Sequence, residues 1–274
     1  MLKKLSKIFR FKCKIIITKI FNYLLIKLDN TSLPNLDKKY ISDLSWDNNT
    51  NTMLFKKNNE KVKILRVDVT NFKSELCKIG ASLGTDKSPY NTKGARHSYT
   101  AIYDIFFSHL KDEQINLAEI GIARNSSIKM FRKYFSKAKI VGFENNAVFL
   151  NNAIKDNLKN TKYYHIDVSN EKNILNAFNK TKKKFKIIID DSTHLFKHQI
   201  NIIKNTLRFL ESGGFLIIED LAYFDNLEIE YMNKLNRYMK FFNKVYFIEA
   251  NHINKFTMHK ESVTNDRLLI LIRK

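Results

Sequence analysis

Hydrophobic positions along the chain change their period repeatedly, and the most regular alternation runs from Phe185 to Leu221. Ile187-Ile188-Ile189 and Phe215-Leu216-Ile217-Ile218 are short unbroken apolar runs, the pattern of strands buried on both faces. Between them Ile200, Ile203, Leu207 and Leu210 recur at helical spacing, and Gly213-Gly214 is expected to end that helix in a left-handed cap. The first apolar run ends in Asp190-Asp191 and the second in Glu219-Asp220. The segment therefore reads as strand, helix and parallel strand. Parallel strands present their carboxyl ends on one edge, so these acids and His194 are expected to converge on one crevice, where open α/β sheets bind ligands.

The same periodicities extend the pattern in both directions. Upstream, strands are expected at Val62 to Val69, Asn116 to Ile122, Lys139 to Glu144 and Tyr163 to Ile166. Helices are expected at Phe72 to Ile79, from Ser98, around Ile128, Phe131 and Phe135, at Ala147 to Leu158 and from near Glu171. Tyr99, Tyr103, Phe106 and Phe107 read as the core face of the second of these helices. Downstream, Leu227 to Phe242 reads as a helix, and Lys244 to Glu249 and Arg267 to Ile272 as strands. Ending on two successive strands predicts an α/β, mostly parallel sheet with an antiparallel C-terminal edge hairpin and helices on both faces. The expected organisation is a basic amphipathic helix at 1–28, an extension and linker at 29–83, and a catalytic-type domain at 84–274.

Charge changes the picture mainly at the amino end. The 274 residues carry a formal net charge of +21. Residues 1–28 contain no acid, and Leu2, Leu5, Phe9, Cys13, Ile16, Ile20 and Leu24 form one apolar stripe among lysines. Charges interrupt that stripe well short of the roughly 20 apolar residues that a spanning helix needs. The segment is expected to lie on an anionic membrane surface, which places the protein in the cytoplasm, peripheral at the inner face of the cell membrane. Zinc-finger spacing, RNA-binding aromatic motifs and arginine-rich arms are missing, so no nucleic acid is expected as a partner. The two cysteines, Cys13 and Cys77, fit neither a metal motif nor a disulfide framework.

Candidate chemistry sits where strands end. Glu119-Ile120-Gly121 closes one strand and Ser126 opens the next helix, a place where backbone amides meet a nucleotide-type ligand. Glu144 ends the following strand about 20 residues later, at the spacing of a carboxylate on ribose hydroxyls. Asp167 follows the third strand, where it contacts an adenine ring or caps the next helix. Thr85, Asp86, Lys87 and His97 are polar groups in a loop ahead of these elements, a common place for ligand contacts. Acids packed at adjacent strand ends repel, and a shared cation relieves the repulsion. Carboxylate oxygens suit magnesium better than zinc. His194 and His198 also share a helix face as a zinc pair would, but no glutamate follows His194 as hydrolytic zinc helices require.

The series GTDK, H-x-Y-x-x-x-Y, EIG followed by serine, an acid after G-F, IIDD-x-x-H and GG-x-x-x-x-ED-L resembles the class I S-adenosylmethionine-dependent methyltransferases. More narrowly it resembles the macrocin and mycinamicin type of sugar O-methyltransferase, over roughly Gly84 to Leu221. The resemblance implies a Rossmann-like sheet and methyl transfer to a sugar hydroxyl of a glycan, glycolipid or glycosylated metabolite. It implies Mg2+, or Mn2+, held by Asp191, Glu219 and Asp220, with His194 as general base and Asp191 beside it in the catalytic group. S-adenosylmethionine would then meet Thr85, Glu119, Gly121, Ser126, Glu144, Asp167 and Asp190. Asn125 and Ser192 stand where the family carries glycine. Those departures suit the alternative of a catalytically inactive methyltransferase-like binding protein at the membrane. Charge alone suggests the other alternative, a nucleic-acid methyltransferase. A homo-oligomer is left open.

Overall fold

The computed structural model describes residues 61–221, 227–254 and 267–274, together with the backbone of two short strands, β1 (Ser42–Asp47) and β2 (Thr52–Phe55). The basic segment 1–28 lies outside the described residues. From there the chain runs β3 (Val62–Asp68), α1 (Glu75–Leu83), α2 (Tyr99–Phe107), β4 (Asn116–Ile120), α3 (Ser126–Tyr134), β5 (Lys139–Glu144), α4 (Ala147–Lys155) and β6 (Thr161–His165). It continues α5 (Glu171–Thr181), β7 (Phe185–Asp190), α6 (Phe196–Thr206), β8 (Leu210–Ile218), α7 (Leu227–Leu235), β9 (Phe242–Asn251) and β10 (Arg267–Arg273).

The strands form one sheet in the order β2-β1-β3-β9-β10-β8-β7-β4-β5-β6. From β8 to β6 every pairing is parallel. The chain steps outward from β4 through β5 to β6 and then returns to lay β7 against the other side of β4. The gap between the carboxyl ends of β4 and β7 is thus the point where the winding reverses and a crevice opens.

Burial on both faces explains the unbroken apolar runs. Ile187 and Ile189 enter the core on one face, built with α1, α2 and α3, while Ile188 enters the other, built with α5, α6 and α7. Phe215 and Ile217 divide from Leu216 and Ile218 in the same way, as do Leu268 and Ile270 from Leu269 and Leu271. Side chains alternate faces along a strand, so a strand covered on both sides has no polar positions left. Short polar caps start the helices. Ser74 Oγ accepts from Cys77 N at 3.1 Å ahead of α1, and Asn146 and Asn170 cap α4 and α5 through their side-chain carbonyls.

Three expectations are corrected. Gly213-Gly214 does not cap α6, which ends at Thr206 and tightens into a 3-10 turn at Leu207–Phe209. Gly213 lies inside β8 at φ 64°, where the pairing with β7 shifts register between Phe185 and Ile187. The glycines supply a bulge, the other backbone feature that needs left-handed geometry in a strand. Second, the β9–β10 hairpin is antiparallel as expected but is not the sheet edge. β9 pairs in parallel with β3, from Val62 opposite Val245 to Asp68 opposite Asn251. Residues 61–83, assigned to the extension, thereby join the sheet through β3 and the core through Leu76 and Cys77 of α1. Third, the helix expected to reach Phe242 stops at Leu235 and continues as a 3-10 segment, Asn236–Phe241.

An aromatic seam holds α5 to the sheet: Phe178 stacks on Phe143 at 4.5 Å between ring centroids and meets Phe185 edge-on at 5.7 Å. Phe178→Ala is expected to cost about 3–5 kcal/mol of stability through the cavity it leaves. Urea unfolding should show a lower midpoint with an unchanged slope; a loss below about 1 kcal/mol would mean the seam repacks.

Candidate active site

The crevice begins with a glycine that nothing else can replace. Gly121, directly after β4, has φ 83°, and a Cβ built on it would stand 2.2 Å from the carbonyl oxygen of Asp191. Only glycine leaves room for this close approach of the two chain ends, which the bond from Asp191 N to Ile120 O at 2.8 Å holds together. Ala123 and Asn125 follow at φ 41° and 66°. Asparagine tolerates left-handed geometry better than other residues with a side chain. Here its Nδ2 donates to Asp156 Oδ2 and to the Tyr163 hydroxyl, both at 2.9 Å. The side chain is therefore drawn toward Asp156 and Tyr163.

Glu144 at the end of β5 closes this turn. Its Oε2 accepts from the backbone N–H groups of Ile122 (3.1 Å) and Ala123 (2.9 Å), and its Oε1 from those of Asn145 and Asn146, both 2.9 Å. Four amide donors match the roughly four lone-pair positions of a carboxylate. Glu144 thus organises the turn on which a ligand would rest, besides lining the cleft. Asp167 sits across that cleft, and its Oδ1 accepts from Ser169 N at 2.9 Å and Ser169 Oγ at 2.7 Å, which hold its carboxyl below the usual range. It is not the cap of α5; Asn170 is.

Two clefts of about 420 and 490 Å3 adjoin here and share Gly121, Ala123, Phe149, Asp191 and Ser192. Glu144, Asp167 and His198 line the first, and Thr85, Lys87, Ser126 and His194 the second. Behind them Asp190 is buried, its Oδ1 accepting from Ser192 N at 3.2 Å and Ser192 Oγ at 2.6 Å, so it fixes the turn that carries Asp191. Burial pushes its carboxyl up to about 7.

The acids do converge, and a cation is already among them. Lys87, 1% exposed, donates to Asp191 and, at 2.6 Å, to Glu219 Oε2, and its Nζ lies 3.5 Å from Glu119 Oε1. Burial works against the ammonium, but the carboxylates of Asp191, Glu219 and Glu119 outweigh it and hold Lys87 well above its ordinary value. Burial likewise pushes Glu119 up to about 7 against the pull of Lys87, and Ser127 Oγ donates to its Oε2 at 2.7 Å. Tyr103 donates its hydroxyl to Glu219 Oε1, and Tyr99 donates to Asp220 Oδ1. His194, at φ 57°, points Nε2 toward Asp191 Oδ1 (4.0 Å) and Asp220 Oδ2 (3.9 Å). Asp191, His194 and Asp220 offer ligand atoms all within 4.8 Å of one another, and so do Glu119, Asp191 and Glu219.

Thr85, Gly121, Ser126, Glu144, Asp167, Asp191 and His194 line the clefts. Glu119 and Asp190, expected to meet the cofactor, are instead buried and line neither, and the same holds of Glu219 and Asp220. Ser127, one position beyond Ser126, bonds Glu119; Glu219 faces Lys87 and Tyr103. Lys87, Tyr99 and Tyr103 are the groups whose part in the charge cluster sequence reasoning missed. Their motifs were visible, but the aromatic spacing read as core, which the rings also are. His198 accepts or donates at Nδ1 with Thr193 Oγ1 at 2.9 Å and takes no place in either ligand group.

No protein-family model matches the chain. It is 26% identical over 167 residues to 8-demethyl-8-(2-methoxy-alpha-L-rhamnosyl)-tetracenomycin-C 3'-O-methyltransferase of Streptomyces olivaceus, covering 58% of this chain and 40% of that protein. It is 24% identical over 134 residues to L-olivosyl-oleandolide 3-O-methyltransferase of Streptomyces antibioticus, covering 46% and 33%. The chain therefore spans well under half the length of these curated relatives. Among solved structures it matches the MycE methyltransferase from the mycinamycin biosynthetic pathway, in complex with Mg and SAH, at a TM-score of 0.54. That match has 16% identity and covers 73% of this chain and 54% of that one. The fold is the Rossmann-like fold of a class I methyltransferase, and the sequence is similar to those of sugar O-methyltransferases.

Glu144→Gln is expected to cost about 1–3 kcal/mol, because an amide turns an N–H pair toward two backbone donors and leaves them unpaired. Asp167→Asn, in a half-exposed position, should cost under about 1 kcal/mol. Chemical denaturation of both variants checks the difference; equal losses would remove Glu144 from its role in the turn.

Proposed function

We propose that the chain is an S-adenosylmethionine-dependent, divalent-metal-dependent O-methyltransferase acting on a sugar hydroxyl of a glycosylated acceptor. The observation that carries this reading is the junction at Asp191, where two clefts and a cluster of carboxylates and imidazole meet at the reversal point of the sheet. The sugar O-methyltransferases to which the sequence is similar support the reaction class and acceptor.

The residues present fit both groups. The first cleft offers the glycine turn, with Glu144 and Asp167 at its walls, to a nucleoside, and the second continues past Ser126 and Thr85. Asp191 and Asp220 would hold magnesium, which commonly takes one or two carboxylates and leaves its other positions to water and substrate oxygens. When bound, the cofactor supplies an electrophilic methyl and the metal makes a neighbouring hydroxyl more acidic. The chain itself must orient the acceptor and accept a proton. His194 would do the second; its Nε2 faces the same crevice, 4.0 Å from Asp191 Oδ1 and 3.9 Å from Asp220 Oδ2. Asn125 and Ser192 fit a working site: the first supplies the left-handed turn in place of glycine, and the hydroxyl of the second donates to Asp190.

With S-adenosylmethionine and glycosylated acceptors, S-adenosylhomocysteine should appear and should cease in excess chelator; full turnover with chelator would rule the metal out. His194→Ala should keep Mn2+ affinity within about threefold while the rate falls about 10²–10⁴-fold, the range of a lost general base. A parallel loss of Mn2+ binding would make His194 a ligand instead.

The membrane contact rests on residues 1–28 and their acid-free apolar stripe. Among the described residues no helix is long and apolar enough to cross a membrane. Each lysine near an anionic surface contributes about 1 kcal/mol. The full chain should pellet with anionic vesicles and release in high salt, while a chain starting near Asn30 should stay in the supernatant. Identical behaviour of the two would remove the contact.

A further inference from the structure

Lys87 is built into the site. Its carbonyl accepts from Thr100 N at 3.0 Å, its own N–H donates to Thr85 Oγ1 at 3.4 Å, and its side chain is almost fully enclosed. The ammonium stands among Glu119, Asp191 and Glu219, oxygens close enough together to hold a metal ion. Both oxygens of Glu219 are engaged there, Oε2 by Lys87 and Oε1 by Tyr103. Asp191 and Asp220 each turn one oxygen elsewhere: Asp191 Oδ2 to Lys87, Asp220 Oδ1 to Tyr99. Their other oxygens, Asp191 Oδ1 and Asp220 Oδ2, face the His194 side of the crevice.

We propose that Lys87 is the resident counter-cation of the inner carboxylate cluster, that Glu219 serves it and not the metal, and that a divalent ion is confined to the outer pair Asp191 and Asp220. The inference rests on the metal reading above and departs from the ligand set that the family resemblance implies. Because Asp191 faces both cations, the ammonium opposes the metal charge through a shared carboxylate. Lys87 therefore lowers the affinity for divalent ions and lets the acids stay buried without one. It is a positioning residue, acting on the metal through Asp191.

Mn2+ binding to the full chain, followed by electron paramagnetic resonance in the absence of S-adenosylmethionine, tests this without any readout of methyl transfer. Glu219→Gln should leave the affinity within about threefold, while Asp220→Asn should weaken it at least tenfold. Lys87→Met should tighten Mn2+ binding at least tenfold and make the melting temperature strongly dependent on Mn2+. Equal losses in Glu219→Gln and Asp220→Asn, or no Mn2+ binding by the unaltered chain, would overturn the proposal. If Lys87→Met does not fold without metal, the other two variants still decide it. A chain that binds Mn2+ in this pattern yet methylates no sugar would leave the assignment of Lys87 standing and sink the proposed reaction.

Discussion

Burial of charge at the carboxyl edge of the sheet is the constraint on which the rest of the structure turns. Glu119 is the last residue but one of β4, Asp191 follows β7 and Glu219 follows β8, and Glu119 and Glu219 are almost fully enclosed. Carboxylates removed from water are unfavourable, and like charges brought together are more so. One lysine answers all three, and two tyrosines from α2 supply further donors. Removing one partner of such a buried set costs about 3–5 kcal/mol, since the others are left uncompensated. The loop before α2 and the helix itself are consequently tied to the sheet edge by polar bonds as well as by packing.

Backbone strain is concentrated in the same place. Ala123, Asn125, His194 and Asp220 all have positive φ without being glycine. Such residues cost about 1–3 kcal/mol each and persist only where the surroundings over-determine them. The surroundings are visible: Glu144 grips the amides beside Ala123, and Glu219 N donates to Asp190 O at 2.9 Å just before Asp220. At His194 the strained turn brings Nε2 to the two aspartates.

Much of this was legible in sequence because period and burial leave strong marks. Isoleucine runs flanked by acids have few readings other than buried parallel strands, and β5 with its terminal Glu144 fell where the glycine turn required. Lys87 was not legible as a counter-ion, because its partners Asp191 and Glu219 lie 104 and 132 positions away and nothing local distinguishes it from other loop lysines. Ser126 lines the cleft while Ser127 turns inward to Glu119, because one residue on a helix turns the side chain by about 100°. Gly213 was misplaced for a related reason: left-handed backbone serves a helix cap and a strand bulge alike, and only the pairing with β7 separates them. The place of β3 depends on β9, a partner far along the chain, which local alternation does not encode.

The two halves of the crevice come from different parts of the sheet. The ends of β4, β5 and β6 carry Gly121, Glu144 and Asp167 around the glycine turn, while those of β7 and β8 carry Asp191, Glu219 and Asp220 beside Lys87, Tyr99, Tyr103 and His194. Only at the reversal point do they touch, and Asp191 belongs to both. Its carbonyl excludes a side chain at Gly121, and its carboxylate stands between Lys87 and His194. The Asp191 main chain therefore bounds the glycine turn while its side chain belongs to the charged cluster. The residue whose carbonyl shapes the glycine turn thus also places its carboxylate in the charged cluster, and it lines both clefts.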